Sequence, residues 1–305
     1  MKTIKSVGEF GLIKLIARKA PQFSGVVKGV GDDAAVLEYS KTHYQLLTMD
    51  TIVEDVDFKK RGTDPALIGR KALAINLSDI AAMGGNPEAA LVSLTLPKET
   101  PVSFVTRLYE GLRRLATEFE VSLVGGDISR GSKISITVMV LGQASKRHTV
   151  FRSGAGPGDV IGVTGALGGS ILGHHFKFQP RVREGELLAK FQVSSMIDIS
   201  DGLLQDLEHL MRSSKRCYTL DRNTIPISLA AKRLGRGNRA AALNHALCDG
   251  EDFELLFTVS PLKFESLKKE WKHTFATKLT RVGEVLKKKP AKQKHLASMP
   301  GFQHF

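Results

Sequence analysis

The residues best placed to do chemistry are aspartates. They fall where strands end or helices turn, each beside glycine or another small residue: Gly31-Asp32-Asp33, Thr48-Met49-Asp50, Asn76-Leu77-Ser78-Asp79, Gly125-Gly126-Asp127, Asp198-Ile199-Ser200-Asp201-Gly202 and Gly250-Glu251-Asp252. No cysteine or histidine cluster accompanies them. Scattered carboxylates are the ligand set of a hard cation, and magnesium takes oxygen donors, keeps several waters and often bridges to substrate phosphates. Zinc would ask for Cys or His. Phosphoryl transfer is the chemistry such a set serves, because it depends on metal ions, cations and geometry more than on covalent chemistry by the protein.

Each aspartate also has a plainer structural use. Asp32 or Asp33 would serve a turn, Asp201 stands where a helix starts and fits an N-cap, and Gly126-Asp127 fits a loop. Two details argue for more. Asp79 lies near the C-terminal end of its helix, where the macrodipole disfavours an anion by about 0.3–1 kcal/mol. Asn76, three residues earlier, shares its face. In the strand through 196–199, Ile197 and Ile199 point one way and Asp198 and Ser200 the other, which suits a site wall or an ordinary half-exposed strand. The turn from Gly165 to Ser170 could offer N–H groups to an anion or simply link a strand to a helix. His174 and His175 are adjacent, point apart in any regular element and read as surface residues. No G-x-x-x-x-G-K-[ST] stretch and no H-R-D or D-F-G set occurs, so the P-loop and protein-kinase scaffolds are excluded.

The elements that must carry these residues alternate between strand-like and helix-like. Residues 34–39 and 44–49 read as strands. Asp64-Pro65 reads as an N-cap and a first-turn proline, opening a helix over 66–83 that Gly84-Gly85 stops. Residues 90–96 read as a strand. Phe104, Leu108, Leu112, Leu115 and Phe119 form the stripe of a packed helix. Strands are expected over 121–124, 134–141, 160–164, 196–199 and 255–259, with a helix over 202–211. The polar, glycine-rich stretch that runs from Ser145, Lys146 and Arg147 through Arg152–Asp159 is the best boundary. It divides an N-terminal domain, 1–148, from a C-terminal α/β domain, 149–305. No period of 20 to 50 residues repeats. The fold class is α/β, with mixed α+β character.

The chain has 305 residues, of which 42% are hydrophobic and 25% charged, a balance that excludes disorder as the main state and excludes a fibrous repeat. The net charge of +13 points to an anionic partner. It is uneven: residues 262–295 hold eleven Lys/Arg against three Glu, a net +8, which leaves +5 for the rest. The run Lys287-Lys288-Lys289, with Lys292 and Lys294, is the candidate patch for a nucleic-acid-binding alternative. No aromatic interleaving or nucleic-acid motif accompanies it, so it reads as solvated surface and a nucleic-acid partner is not expected. Cys217 and Cys248 are too few for a disulfide framework, which favours a reduced, cytoplasmic setting. Glu9 and Lys14 interrupt the apolar stretch near the N-terminus, so no signal peptide is expected. The longest uncharged run, 160–176, is too short to span a bilayer, so no membrane association is expected.

Nine stretches together resemble one family. They are GEFGLI (8–13), GVGDDAAVL (29–37), TMDTIVEDVDF (48–58), KALAINLSDIAAMGGNPE (71–88), VGGDISRG (124–131), RSGAGPGDVIGVTG (152–165), IDISDGLLQDL (197–207), GEDFELLF (250–257) and GFQHF (301–305). In this order they resemble the thiamine-monophosphate kinases, within the superfamily of aminoimidazole ribonucleotide synthetase. The resemblance implies a two-domain aminoimidazole ribonucleotide synthetase-like architecture whose N-terminal sheet pairs across a homodimer. It implies ATP-dependent conversion of thiamine monophosphate to thiamine diphosphate, by direct in-line transfer assisted by several Mg2+ ions. By the same resemblance the metal positions are Asp33, Thr48, Met49, Asp50, Asp79, Asp127, Asp198 and Asp201. The ATP positions are Gly126, Asp127, Arg152 and Ser200, and the substrate positions are Asp57, Glu251 and Phe302. Three positions depart from the family's pattern. Asp57 stands where a histidine is common, Met49 where a hydroxyl residue is common, and Phe302 where a tyrosine is common. Another ATP-dependent enzyme of the superfamily is the nearest alternative. The selenophosphate-forming member would need a reactive cysteine near the N-terminus, and none precedes Cys217.

Overall fold

The computed structural model describes residues 4–287; Phe302 and the lysines from 288 onward lie outside the described residues. In chain order, helix α1 (Ile4–Ala17) leads into strands β1 (Val26–Lys28), β2 (Ala35–Glu38) and β3 (His43–Val53). Helix α2 (Pro65–Ala82), strand β4 (Asn86–Leu96), helix α3 (Val102–Glu118) and strands β5 (Ser122–Arg130) and β6 (Ser135–Ser145) complete the first half. The second half comprises β7 (Val160–Thr164), a 3-10 turn (Ser170–Leu172), α4 (His174–Lys177), α5 (Val182–Lys190), β8 (Ser195–Asp198) and α6 (Leu203–Ser214). It continues through β9 (Cys217–Leu220), α7 (Leu229–Leu234), α8 (Arg239–Cys248), β10 (Leu255–Val259), α9 (Pro261–Thr274) and β11 (Leu279–Leu286).

Two sheets result, a mixed α/β architecture. The first has six strands in the order β1-β2-β3-β6-β4-β5, and the second has five in the order β8-β10-β7-β11-β9. Only the β4–β5 pair is parallel among the described pairings. That pair corrects one expectation. The strand predicted to stop at residue 124 runs on to Arg130, because Gly125, Gly126 and Asp127 pair with Leu91, Val92 and Ser93. Ladder bonds to β4 hold a glycine-rich segment that has little strand preference of its own.

Helix α2 is the spine. Asp64 caps it, accepting from the Ala66 N–H at 3.0 Å, and Arg107 of α3 grips the same carboxylate at 3.0 and 2.8 Å. The helix is buried on nearly every side, as expected of one enclosed by other elements rather than lying on a surface. It packs against β3 and β6 of the first sheet, and against α3, α5 and β8 on its other sides. Glycine permits the closest of these approaches: a Cβ at Gly111 of α3 would lie 1.8 Å from the Ala66 carbonyl oxygen. Polar side chains on this helix therefore face both halves of the molecule at once.

Candidate active site

The site opens where the first sheet leaves a strand half-paired. β2 covers β3 only as far as Leu47, whereas β6 follows β3 to Val53. From Thr48 onward one edge of β3 has no strand beside it among the described residues. A cavity of about 850 Å³ fills that notch, bounded by α1, the loop at 30–33, α2, the 198–201 turn, α6 and the 251–253 loop. The volume suits a ligand of nucleotide size or larger.

One pole of the cavity is acidic. An oxygen from each of Asp33, Asp79 and Asp198 lies within 4.8 Å of the others. Three elements deliver them. Asp79 projects from α2 and accepts a short hydrogen bond from the Thr48 hydroxyl of β3. Asp198 ends β8 and accepts from the Ser78 hydroxyl of α2 at 2.6 Å. Asp33 pairs with Arg152 at 2.7 Å. Burial, with Asp50, Asp198 and Asp33 close by, pushes the Asp79 carboxyl well above the usual carboxylate range. Burial and Asp33 push Asp198 up to about 7. Burial and Asp33 push Asp32, which accepts from the Arg152 N–H at 3.0 Å, up to about 6. Asp33 Oδ2 is buried with no hydrogen-bond partner among the described residues. Packed anions with an unsatisfied oxygen fit a bound cation, and an all-oxygen donor set fits magnesium.

The other predicted residues divide. Asp50, Asp57, Thr48, Met49, Arg152, Ser200, Asp201 and Glu251 all line the cavity. Asp201 is not the helix cap: Asp206 accepts from the Asp201 and Gly202 N–H groups at 3.0 and 3.1 Å, leaving the Asp201 carboxylate to accept from Gln205 at 2.8 Å. Asp57 closes a turn by accepting from the Val53 N–H at 2.7 Å. Met49 is 66% exposed, on the opposite face of β3 from Thr48 and Asp50. Asp127 is not among the cavity residues. Its register row is Thr51, Thr137, Ser93 and Asp127, on the sheet face turned away from α2. Gly126 lies beside it on the same exposed edge strand. The Gly165–Ser170 turn spends its amides internally, since Asp252 accepts from the Gly168 N–H and Asp249 from the Gly169 N–H.

A second polar cluster was not anticipated. His175 is buried, not on the surface, and Lys71 is 1% exposed. Lys71 Nζ donates to the Asp57 carbonyl at 3.1 Å and to Glu251 Oε1. Burial alone would raise the Glu251 carboxyl, but the His175 hydrogen bond and the Lys71 charge outweigh it and hold the group below its ordinary value.

Comparison with known proteins fits this geometry. Residues 31–144 match the family described as AIR synthase related protein, N-terminal domain. The thiamine-monophosphate kinase of Rhodopirellula baltica is 40% identical over 282 residues, covering 88% of this chain and 85% of that one. The chain belongs to the thiamine-monophosphate kinase family. The Bacillus subtilis family member is 35% identical over 326 residues, covering 97% of this chain and 99% of its own. A solved structure of the family, AaThiL complexed with AMPPCP and TMP, superposes with a TM-score of 0.87 at 31% identity, covering 100% of this chain and 99% of that one. Against that family background, Lys71 is the residue sequence reasoning passed over. It lies inside the KALAINLSD stretch that carried the resemblance, five residues before Asn76.

Proposed function

We propose that the protein transfers the γ-phosphoryl group of ATP to thiamine monophosphate, giving thiamine diphosphate and ADP. The observation that carries this reading is the convergence of Asp33, Asp79 and Asp198 in one cavity, in a chain of this family. Asp33, Asp79 and Asp198, with Asp50 and Asp201 beside them, would hold magnesium. Bound there, the metal neutralises phosphate charge. Thr48 keeps Asp79 in place through its hydroxyl, and Met49 can add only backbone oxygen because its side chain points away. Arg152, whose Nε is buried without a partner among the described residues, and Ser200 would take the nucleotide. Glu251 and Asp57 would take the acceptor, with Phe302 stacking on its ring.

Direct, in-line transfer is the mechanism we assign, as the family resemblance implies. Initial velocities with varied ATP and thiamine monophosphate should therefore intersect, and should vanish when Mg2+ is chelated. Parallel lines would point to a phospho-enzyme and contradict direct transfer.

The face of the first sheet turned away from α2 supports the rest of the reading. Met49, Met139 and Leu91 form an apolar row across it, and Met49 and Leu91 are 66% and 38% exposed. We assign this face to pairing of the N-terminal domain, 1–148, with a second copy, the C-terminal domain being 149–305. Asp127 and Gly126 lie on that face or its edge, so they would serve a site completed by the partner. Leu91→Lys should convert a dimer to a monomer in light scattering and sharply reduce turnover; an unchanged mass would move the interface elsewhere. No helix among the described residues is long and apolar enough to cross a membrane. A reducing cytoplasm is the setting we assign, with Cys217 and Cys248 both present as thiols outside any disulfide.

A further inference from the structure

The Lys71 cluster has a design unlike that of a phosphate-binding lysine. A lysine that binds phosphate presents its ammonium to the ligand. Lys71 is fully buried and directs its ammonium at the protein instead. Three acceptors on three separate segments lie around Nζ: the Asp57 carbonyl at 3.1 Å, His175 Nδ1 at 3.2 Å and Glu251 Oε1. The ammonium also sits 5.5 Å from the centroid of the Phe176 ring. His175 Nδ1 lies 3.2 Å from Glu251 Oε2 as well. With a proton on Nδ1 the ring donates to Glu251; without it the ring accepts from Lys71.

The loop that presents Glu251 is held in an unusual backbone conformation. Glu251 and Phe253 have φ of 63° and 51°, which non-glycine residues rarely adopt. Such conformations persist where the surroundings over-determine them. Here the Glu251 N–H donates to the Ser200 carbonyl at 2.7 Å and the Phe253 N–H to the Ile199 carbonyl at 2.8 Å. The Ser170 hydroxyl holds the Gly250 carbonyl at 2.5 Å. Backbone ties therefore join the Glu251 loop to the turn that follows Asp198, and Lys71 joins its carboxylate to α2 and to the Asp57 turn. Glu251 keeps a side-chain exposure of 26% on the cavity, so part of the carboxylate remains available to a ligand.

We propose that Lys71 is a positioning residue for the acceptor end of the cavity, holding the Glu251 carboxylate and the Asp57 carbonyl in one arrangement and so setting affinity for thiamine monophosphate rather than for ATP. The proposal rests on the acceptor being thiamine monophosphate, a molecule whose thiazolium ring is cationic. Two carboxylates and one ammonium at this end leave a negative balance that suits such a ring.

Lys71→Met, Glu251→Gln and the double variant test it through steady-state kinetics beside wild type, with thermal melting as a folding control. Each single variant should raise the KM for thiamine monophosphate about tenfold or more, the usual effect of losing a charged hydrogen bond. The KM for ATP should stay within about twofold. The double variant should be no worse than the poorer single one, because both act through the same carboxylate. Should Lys71→Met fail to fold, Glu251→Gln carries the same test, since it removes the charge and keeps the side-chain shape. Equal rises in both KM values, or additive effects in the double variant, would overturn the proposal. A wild type that makes no thiamine diphosphate defeats the activity and the role of Lys71 together. An active wild type with no selective loss in the variants defeats only Lys71.

Discussion

Asp79→Asn should lower turnover by roughly 100- to 1,000-fold, the scale seen when a preorganised electrostatic group is removed from an active site. The folded protein should survive the change. Asp79 is held well above the usual carboxylate range by burial and by Asp50, Asp198 and Asp33, so without metal its carboxyl favours the protonated form, which asparagine matches in shape. The amide oxygen can still accept from the Thr48 hydroxyl that now holds Asp79. The cost of ionising Asp79 beside Asp198 and Asp33 also disappears. Melting of the metal-free variant should therefore equal or exceed that of wild type, while magnesium should no longer stabilise it as strongly. Turnover at the wild-type rate would remove Asp79 from the reaction.

Metal-free protein should lose stability as pH rises from about 4 to about 7, and Mg2+ should restore it. Asp198 titrates near 7 and Asp32 near 6 in the folded protein, both raised from an ordinary value of 3.8. The folded state therefore holds more protons than the unfolded chain across that interval. The sign follows: stability is fullest below the unfolded value and falls as pH climbs through the folded one. Asp198, buried beside Asp33, and Asp32 act in the same direction, so their effects on stability reinforce each other. Melting curves in a chelator from pH 4 to 8, repeated with millimolar Mg2+, check this directly. Magnesium should raise the midpoint strongly at pH 8 and weakly at pH 5. A metal-free midpoint that climbs steadily over the interval, or one indifferent to Mg2+ at pH 8, would contradict a cation site at these carboxylates.

Much of this centre is legible in the sequence, and the limits are physical. Asp79 is visible because it opposes a helix dipole, and Asp198 because it breaks the apolar pattern of its strand. The structure meets both with hydroxyl partners, Thr48 and Ser78. The helix over 66–83 is readable from its cap, its proline and its terminal glycines, all local signals. Long-range placement is what local signals do not carry. Lys71 looks like any helical lysine until α2 is enclosed, and His175 looks exposed until a four-residue helix carries it against Lys71 and Glu251. The two contacts of Lys71 with these residues span 104 and 180 positions of sequence. Asp127 illustrates the opposite case. Its motif is plain, but the strand that carries it runs six residues past the predicted end, and pairing register, not composition, sets the face on which its side chain emerges.

The net charge proves a poor guide to mechanism. The acidic pole holds a minority of the ionisable residues, whereas much of the +13 excess falls in 262–295, of which the described part, 262–287, does not line the cavity.

The most direct test supplies purified protein with ATP labelled in the γ-phosphate, thiamine monophosphate and Mg2+, and follows the label. Labelled thiamine diphosphate and ADP should form in equal amounts, both abolished by chelation. Label released as inorganic phosphate with no labelled thiamine diphosphate would contradict it.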